Sequence, residues 1–208
     1  MPLIDIPYIP QPKNSPKCGA ACLSMIIKYY EKKKIKIDDI WENVKDKSPE
    51  LHRDYCKTYK LGQYLQNYHF SCSIVRYSSL STFLEFCLSR NIAPVINHLS
   101  FENNIGGHFS VVKNLSNNMV IINDPENKKR KSVPFKDLEK ASKKTSISQE
   151  IGGNTALVPT FMLPVFTKTC PNCGNDIDAS FSKVANVSSV NIVAELCFNC
   201  DSFIPSYT

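Results

Sequence analysis

Two sets of residues in this 208-residue sequence have types and spacings that can do chemistry. The first is a pair of C-x-x-C motifs near the C-terminus, Cys170-Pro-Asn-Cys173 and Cys197-Phe-Asn-Cys200, separated by residues 174–196. This arrangement is typical of four thiolates that bind one tetrahedral zinc ion. We therefore expect Cys170, Cys173, Cys197 and Cys200 to bind Zn²⁺. Because four protein ligands close the coordination shell, we expect the ion to be structural.

The second set is a cysteine, a histidine and an aspartate. Apolar residues recur at helical spacing from Gly19 to Glu31, and Cys18 stands at the start of this predicted helix. The unpaired N–H groups and the positive end of the helix dipole favour a thiolate there. A thiolate nucleophile needs an imidazole that carries protons and a third group that orients the imidazole. His108 and Asp124 are the candidates for these two roles.

A predicted hairpin brings the histidine and the aspartate together. Residues 108–113 and 119–123 read as strands, and a hairpin closed symmetrically about Ser116 would place His108 directly opposite Asp124. The competing interpretation of Asp124 is that Asn-Asp-Pro is a common way to end a strand in a turn.

The remaining cysteines and elements fit a structural role. Cys22 shares the apolar stripe of the first helix, and Cys87 lies on that of a second helix predicted over residues 80–90, so both are expected in the core. Cys56 and Cys72 have no motif around them. With a buried strand expected over residues 92–97, a leading helix followed by strands predicts an α+β fold.

Composition limits the function classes further. The chain is 42% hydrophobic, which excludes a disordered protein, and its net charge of +6 is too small for a dedicated nucleic-acid binder. From residue 166 onward two lysines face four acidic residues, a net charge of −2, so we expect no nucleic-acid binding by this part. We read the basic run Lys128-Lys-Arg-Lys131 as an exposed loop.

The same sequence predicts the compartment and the domain boundary. The N-terminal residues do not resemble a secretory signal, and no apolar run is long enough to span a membrane. We therefore expect a cytoplasmic protein whose nine cysteines are not a disulfide framework. The shift in composition near Pro164 predicts a larger domain over residues 1–165 and a small zinc ribbon over 166–208, with β-rich residues at 184–193.

Five segments together resemble a known family, the bacteriocin-processing peptidases that cleave double-glycine leader peptides. The segments are Gln11, the run that begins Cys18-Gly-Ala-Ala-Cys22, Ala93-Pro-Val-Ile96, Gly106-Gly-His108, and Asn123-Asp-Pro125. The resemblance covers about residues 3 to 130. It implies a papain-like cysteine peptidase fold, in which an N-terminal helix packs on an antiparallel sheet.

The resemblance also implies roles for four residues. Cys18 would be the nucleophile, His108 the base and acid, and Asp124 the group that orients His108, while Gln11 would donate to an oxyanion hole shared with the Cys18 backbone N–H. The substrate would be a peptide or protein, with Gly-Gly before the scissile bond. Gln11 lies one residue further from Cys18 than the family pattern leads us to expect.

Other functions are compatible with the same residues. One is an amidase, deamidase or transglutaminase-like enzyme with the same thioester chemistry. Another is a catalytically silent papain-fold module that binds peptides, with the zinc ribbon as a docking element for a protein partner. A nucleic-acid-associated ribbon protein is the third, and the charge distribution disfavours it.

Overall fold

The computed structural model describes residues 3–48, 53–102, 106–143 and 153–206. Within these ranges the helices are α1 (Cys18–Tyr30), α2 (Ile37–Val44), α3 (Thr58–Asn67), α4 (Leu80–Ser89), α5 (Phe135–Ala141) and α6 (Ser180–Val187). The strands are β1 (Lys45–Ser48), β2 (Arg53–Cys56), β3 (Cys72–Tyr77), β4 (Val95–Leu99), β5 (Gly107–Ser116), β6 (Met119–Asn123), β7 (Ser132–Pro134), β8 (Thr155–Pro159), β9 (Thr167–Thr169), β10 (Asp176–Asp178), β11 (Ile192–Cys197) and β12 (Ser202–Pro205). The expected α+β class is confirmed.

An antiparallel sheet of eight strands holds the described parts of the chain together. Its order is β12-β11-β3-β8-β4-β5-β6-β7. The middle strands β3, β8 and β4 are almost wholly buried, which explains their near-continuous runs of apolar and small residues. Helices α1 and α4 pack on β5, and α1 also packs on α2 and α3. The sheet therefore supports α1 from the side on which His108 lies.

Helix α1 confirms the first predicted helix, with a shift of one residue at each end. Every residue from Cys18 to Ile27 is buried, so the helix lies in the core rather than showing one apolar stripe to it. Its first turn is packed tightly, since a Cβ atom on Gly19 would lie 3.0 Å from Cys56 Sγ and 3.2 Å from Leu61 Cδ1. Helix α3, which carries Leu61, thus presses directly on the start of α1.

The second predicted helix and the strand after it are also present. Helix α4 ends at Ser89, close to the expected residue 90. The strand begins at Val95 rather than at residue 92. The reason is local: the Ile92 N–H closes the end of α4 on Cys87 O at 2.9 Å, and Pro94 has no N–H to give to a ladder.

The hairpin of β5 and β6 is present, but its predicted register is wrong. The turn is the two-residue Asn117-Asn118, both with positive φ, rather than a five-residue loop. Ser116 pairs with Met119 next to this turn, yet Val111 pairs with Asn123, because Lys113 is an extra residue in β5. Because of this bulge, the side chains of His108 and Asp124 lie on the same face of the sheet. They are diagonal neighbours instead of direct partners.

The tail folds differently from the expectation for residues 184–193. Residues 180–187 form helix α6, and β11 starts only at Ile192. Burial outweighs the strand propensity of this segment, because Phe181 and Ala185 lie one helical turn apart and both are fully buried. Phe181 packs edge-on against Phe83 and Phe86 of α4. Since β11 also pairs with β3, the tail continues the central sheet, and the division at residue 165 stays a proposal.

Candidate active site and candidate metal centre

Cys18 is the first residue of α1, at the position that the sequence predicts. Its residue is 7% exposed, so the thiol lies just below the surface. No side chain caps this end of the helix, and the N–H groups of its first turn are therefore available to a negative charge. The ammonium of Lys17, the preceding residue, is bound to Asp38 Oδ1 at 2.6 Å.

His108 lies between Cys18 and Asp124. Its Nε2 donates a hydrogen bond to Asp124 Oδ1 at 2.8 Å, and the charge of Cys18 acts on the same imidazole. Because Nε2 is used by Asp124, Nδ1 is the nitrogen left for the thiol. His108 is 4% exposed and Asp124 is fully buried. The structure thus brings His108 and Asp124 into direct contact, with Cys18 close enough for its charge to act on the imidazole.

The electrostatics of these three residues favour separated charges. Burial alone would lower the pKa of His108, but the Cys18 charge and the hydrogen bond to Asp124 raise it to about 10. Burial would likewise raise the pKa of Asp124, and the hydrogen bond from His108, with help from Arg130, lowers it to about 2. At neutral pH the site therefore holds an ionised Asp124 and an imidazolium at His108.

Arg130 is a member of this cluster that the sequence analysis missed. Its Nη1 donates to Asp124 Oδ2 at 2.7 Å, and its side chain is 19% exposed. The expectation of an exposed basic loop is therefore wrong for Arg130, although Lys128, Lys129 and Lys131 are exposed. The signal in the sequence was the turn that follows Asn-Asp-Pro, which returns the chain toward Asp124 through an Arg130 N–H bond to Asn127 O.

His98 packs against the catalytic candidate His108. The two imidazole rings of His98 and His108 meet edge to face, with centroids 5.3 Å apart. His98 is fully buried, its Nδ1 bonds to Leu99 O and its Nε2 to Ser110 Oγ. Burial, followed by the neighbouring His108 charge, lowers the pKa of His98 to about 3. His98 is thus a neutral packing partner of His108.

Gln11 lies next to the aspartate, although seven residues separate it from Cys18 in the sequence. Its backbone N–H bonds to Pro125 O at 2.9 Å, which ties this segment to the residue after Asp124. A turn at residues 12–15, with Asn14 at positive φ, takes up the extra length. One N–H of the Gln11 amide donates to Ser15 O at 2.7 Å, and the second N–H of the same nitrogen remains for another acceptor.

The other cysteines outside the tail are packing residues. Cys22 is fully buried one turn into α1, as expected, and burial, then the Cys18 charge, raises the pKa of its thiol. Cys72 and Cys87 are fully buried too, and burial raises the pKa of both. Cys56 is half-buried against Gly19 at the start of α1. Burial and the nearby Cys18 charge raise its pKa as well.

The four tail cysteines form a second cluster. The Sγ atoms of Cys170, Cys173, Cys197 and Cys200 all lie within 4.8 Å of one another, so they could hold a metal ion. The separations of 3.7 Å for Cys170–Cys200 and 3.6 Å for Cys173–Cys197 are too long for disulfides. They match the roughly 3.8 Å that zinc–sulfur bonds of about 2.3 Å give in a tetrahedron. The donor set and its spacing therefore fit a zinc site.

The cluster of four tail cysteines packs against helix α3, which contacts the start of α1. The Phe198 ring, between the last two cysteines, covers Gly62 of α3 so closely that a Cβ there would lie 2.4 Å from Phe198 Cζ. Gln63 Nε2 also donates to Phe198 O at 2.5 Å. On the other side, Lys168 forms an ion pair with Glu195, which is buried in β11. The cluster is thus part of the same packed structure as the cysteine–histidine site.

A cysteine at the start of a buried helix, facing a histidine and an acidic residue on an antiparallel sheet, defines the class of papain-like cysteine peptidases. The chain belongs to the Peptidase C39 family, whose model matches residues 5–148. It is accordingly a cysteine-type peptidase, and the resemblance noted from the sequence is confirmed. The matched residues include Cys18, His108 and Asp124 and end before the four tail cysteines.

Two solved structures share the fold. The peptidase domain of Streptococcus ComA, described as a bifunctional ABC transporter involved in a quorum-sensing pathway, aligns with a TM-score of 0.53 at 17% identity, over 73% of this chain and 96% of that one. A putative C39-like peptidase from Bacillus anthracis aligns with a TM-score of 0.58 at 15% identity, over 76% and 95% of the two chains. At these identities the likeness establishes the fold alone. No curated protein matches the sequence.

The longest of the described helices, α1, has 13 residues. None of those in the described ranges combines the length and the apolar character that a membrane crossing requires.

Proposed function

We propose that this peptidase hydrolyses peptide bonds through a thioester at Cys18, with His108 as base and acid and Asp124 as the orienting group. The observation that carries the proposal is the 2.8 Å bond between His108 Nε2 and Asp124 Oδ1, together with the position of Cys18, whose charge acts on the His108 imidazole. The raised pKa of His108 supports an imidazolium beside the Cys18 side chain at neutral pH.

The reaction follows from this pair. The Cys18 thiolate attacks the carbonyl carbon of the scissile bond, and the carbonyl oxygen becomes an oxyanion. As the C–N bond breaks, the His108 imidazolium gives its proton to the departing amine and a thioester remains. Neutral His108 then takes a proton from water, the water oxygen attacks the thioester carbon, and the Cys18 thiolate leaves with the acid product free. Asp124 keeps the imidazole in one orientation throughout.

Two donors would stabilise the oxyanion. The backbone N–H of Cys18 has no acceptor within its own helix, as is general for a first turn. The second N–H of Gln11 Nε2 would be the other donor, and the bond from its first N–H to Ser15 O orients the amide for this purpose. Both donors would stabilise the negative charge that develops on the oxygen in the transition state.

We propose that the substrate is a peptide or protein cleaved after small residues, Gly-Gly in particular. Cys18 and His108 are 7% and 4% exposed, so the scissile bond must approach closely, which favours residues with little or no side chain before it. The same chemistry with another acceptor, as in an amidase or deamidase, would also use these residues. A catalytically silent peptide-binding module is the alternative that lacks the reaction.

The experiment that tests the reaction compares two cysteines on one helix. Near neutral pH, iodoacetamide should modify Cys18 well before the buried Cys22, as read by mass spectrometry of the digested protein. Cys18→Ala should abolish cleavage of a peptide library while Cys22→Ala should retain it. Equal and slow labelling of the two thiols, with no cleavage by the wild type or by Cys22→Ala, would support the silent module instead.

We further propose that the metal at the tail cysteines is zinc and that it is structural. Four thiolates satisfy a tetrahedral ion and leave no position for water or substrate. The ion would supply part of the folding free energy of a segment whose small apolar cluster is Cys170, Ile177, Cys197 and Ile204. About one zinc per chain by elemental analysis supports this, and none in protein prepared without chelators contradicts it.

The environment and partners of the tail also stay proposals. A cytoplasmic, reducing setting would keep the Cys18 thiol and the four ligand thiols unoxidised. The exposed side of the zinc element would serve for docking to a protein rather than to nucleic acid, since the tail has a net negative charge.

A further inference from the structure

We propose that Arg130 is a positioning residue of this active site, which holds the Asp124 carboxylate in place and adjusts how firmly that carboxylate holds the His108 proton. The inference rests on the proposed function, because it concerns the residue that orients the proposed base. It extends the site by one residue that the sequence motifs do not assign.

The first step concerns the carboxylate. Asp124 is fully buried, and both of its oxygens are bonded. Oδ1 accepts from His108 Nε2 at 2.8 Å and from the Glu126 backbone N–H at 3.0 Å. Oδ2 accepts from Arg130 Nη1 at 2.7 Å. The bond to Arg130 thus acts with the two bonds to Oδ1 to fix the plane of the carboxylate.

The second step concerns the guanidinium, which is itself held. Its Nη2 donates to Glu102 Oε1 at 2.9 Å, and Asn127 Nδ2 donates to the same oxygen at 2.8 Å. The guanidinium carbon lies 5.3 Å from the centre of the Phe101 ring. A planar group bonded at two nitrogens and backed by an aromatic ring has little freedom to move. Arg130 is therefore a fixed support for Asp124 rather than a mobile surface charge.

The third step concerns charge. Asp124 lies between two cations, the imidazolium of His108 and the guanidinium of Arg130. The Arg130 guanidinium is bonded to the same carboxylate as His108, and it repels the imidazolium. This repulsion lowers the affinity of His108 for the proton that it transfers. Without Arg130 the carboxylate would act on His108 alone, and His108 would release its proton only at higher pH. Orientation and proton affinity are two separate effects, and they can be measured separately.

The experiment compares Arg130→Met, which removes the charge and the hydrogen bonds, with Arg130→Lys, which keeps the charge. Lys128→Met is the matched control, because Lys128 is exposed in the same basic run and loses the same charge. The rate of Cys18 alkylation by iodoacetamide is measured against pH by mass spectrometry. For a peptide that the wild type cleaves, kcat and KM are measured against pH as well.

Arg130→Met is expected to lower kcat by about tenfold or more with little change in KM, because the base is misplaced. It should also move the alkaline limb of both profiles upward by roughly one pH unit. Arg130→Lys should return the limb to its wild-type position while kcat stays below wild type, since one ammonium cannot replace the planar fork that bonds Asp124 and Glu102 together. Lys128→Met should behave as wild type.

The proposal is overturned if Arg130→Met matches Lys128→Met in both kcat and the position of the limb. A change confined to KM would also overturn it, because that would assign Arg130 to substrate binding. If thermal melting shows that Arg130→Met does not fold, Arg130→Lys decides: a wild-type kcat in that variant contradicts the positioning role. Alkylation needs no substrate. Its pH profile therefore tests the role of Arg130 independently of whether the protein hydrolyses peptides through Cys18.

Discussion

The contact between Gly62 and Phe198 makes the attachment of the metal cluster to helix α3 testable by a single methyl group. A Cβ at residue 62 would lie 2.4–2.6 Å from three atoms of the Phe198 ring, well inside van der Waals contact. The ring cannot easily swing away, because it is buried between two metal-ligand candidates and its carbonyl is bonded to Gln63. Gly62→Ala must therefore displace either the segment from Cys197 to Cys200 or helix α3.

The magnitude combines two opposing effects. Overpacking of a buried contact costs about 1–3 kcal/mol. The change from glycine to alanine inside a helix contributes about 1 kcal/mol in the other direction. The net loss for Gly62→Ala is then about 1 kcal/mol, which corresponds to a melting temperature roughly 2–4 °C lower for a chain of this size.

The assay is thermal unfolding of four proteins: wild type, Gly62→Ala, Phe198→Ala and the double variant. Phe198→Ala alone is expected to be destabilised by about 3 kcal/mol or more, since it empties a buried aromatic site. In that background the methyl at residue 62 no longer meets a ring, so Gly62→Ala should become stabilising by about 1 kcal/mol. The reasoning is refuted if Gly62→Ala has the same effect with and without the ring.

Three further predictions concern the charges, the metal and the hairpin. Asp124→Asn removes contacts that raise the pKa of His108, so the alkaline limb of kcat/KM should move to lower pH, as a rate profile would show. Because the pKa of Asp124 falls from 3.8 to about 2 on folding, its stabilisation is present above about pH 4 and lost as pH falls through 2. Urea unfolding of the wild type should therefore lose roughly 2 kcal/mol over that range, and Asp124→Asn should not. Cys170→Ser should release the metal and lower the melting temperature, whereas Cys72→Ser, outside the cluster, should keep about one zinc per chain by elemental analysis. Deletion of Lys113 should remove the bulge and move His108 to the other face of the sheet from Asp124, so that peptide cleavage is lost; replacement of Lys113 by alanine, which keeps the extra residue, should preserve it.

The elements with strong periodicity were predictable because their burial agrees with their local pattern. Helix α1, helix α4 and strand β6 lie within a residue or so of their expected bounds. The cluster of four tail cysteines was predictable for a similar reason. Two residues separate the cysteines of each C-x-x-C motif, and this short spacing keeps them close together.

The errors come from contacts between distant parts of the chain. Val184 and Val187 have β-branched side chains, yet α6 forms because Phe181 and Ala185 are buried on one helix face. The hairpin register depends on the bulge at Lys113, which no turn residue marks. Arg130 was missed because a run of four basic residues looks uniform in sequence, and only the fold shows that one of them reaches a buried carboxylate.

The order of strands in the central sheet has a consequence for how the chain folds. Strand β3, residues 72–77, is flanked by β8 at 155–159 and by β11 at 192–197, so both of its neighbours are made long after it. Pairing across such separations requires the closure of long loops, which slows folding. During synthesis one edge of β3 stays unpaired until β8 emerges and the other until β11 emerges, and in this interval β3 is open to wrong pairing with another chain. Because β11 supplies the second of these pairings, its emergence closes the edge of β3 that β8 leaves open.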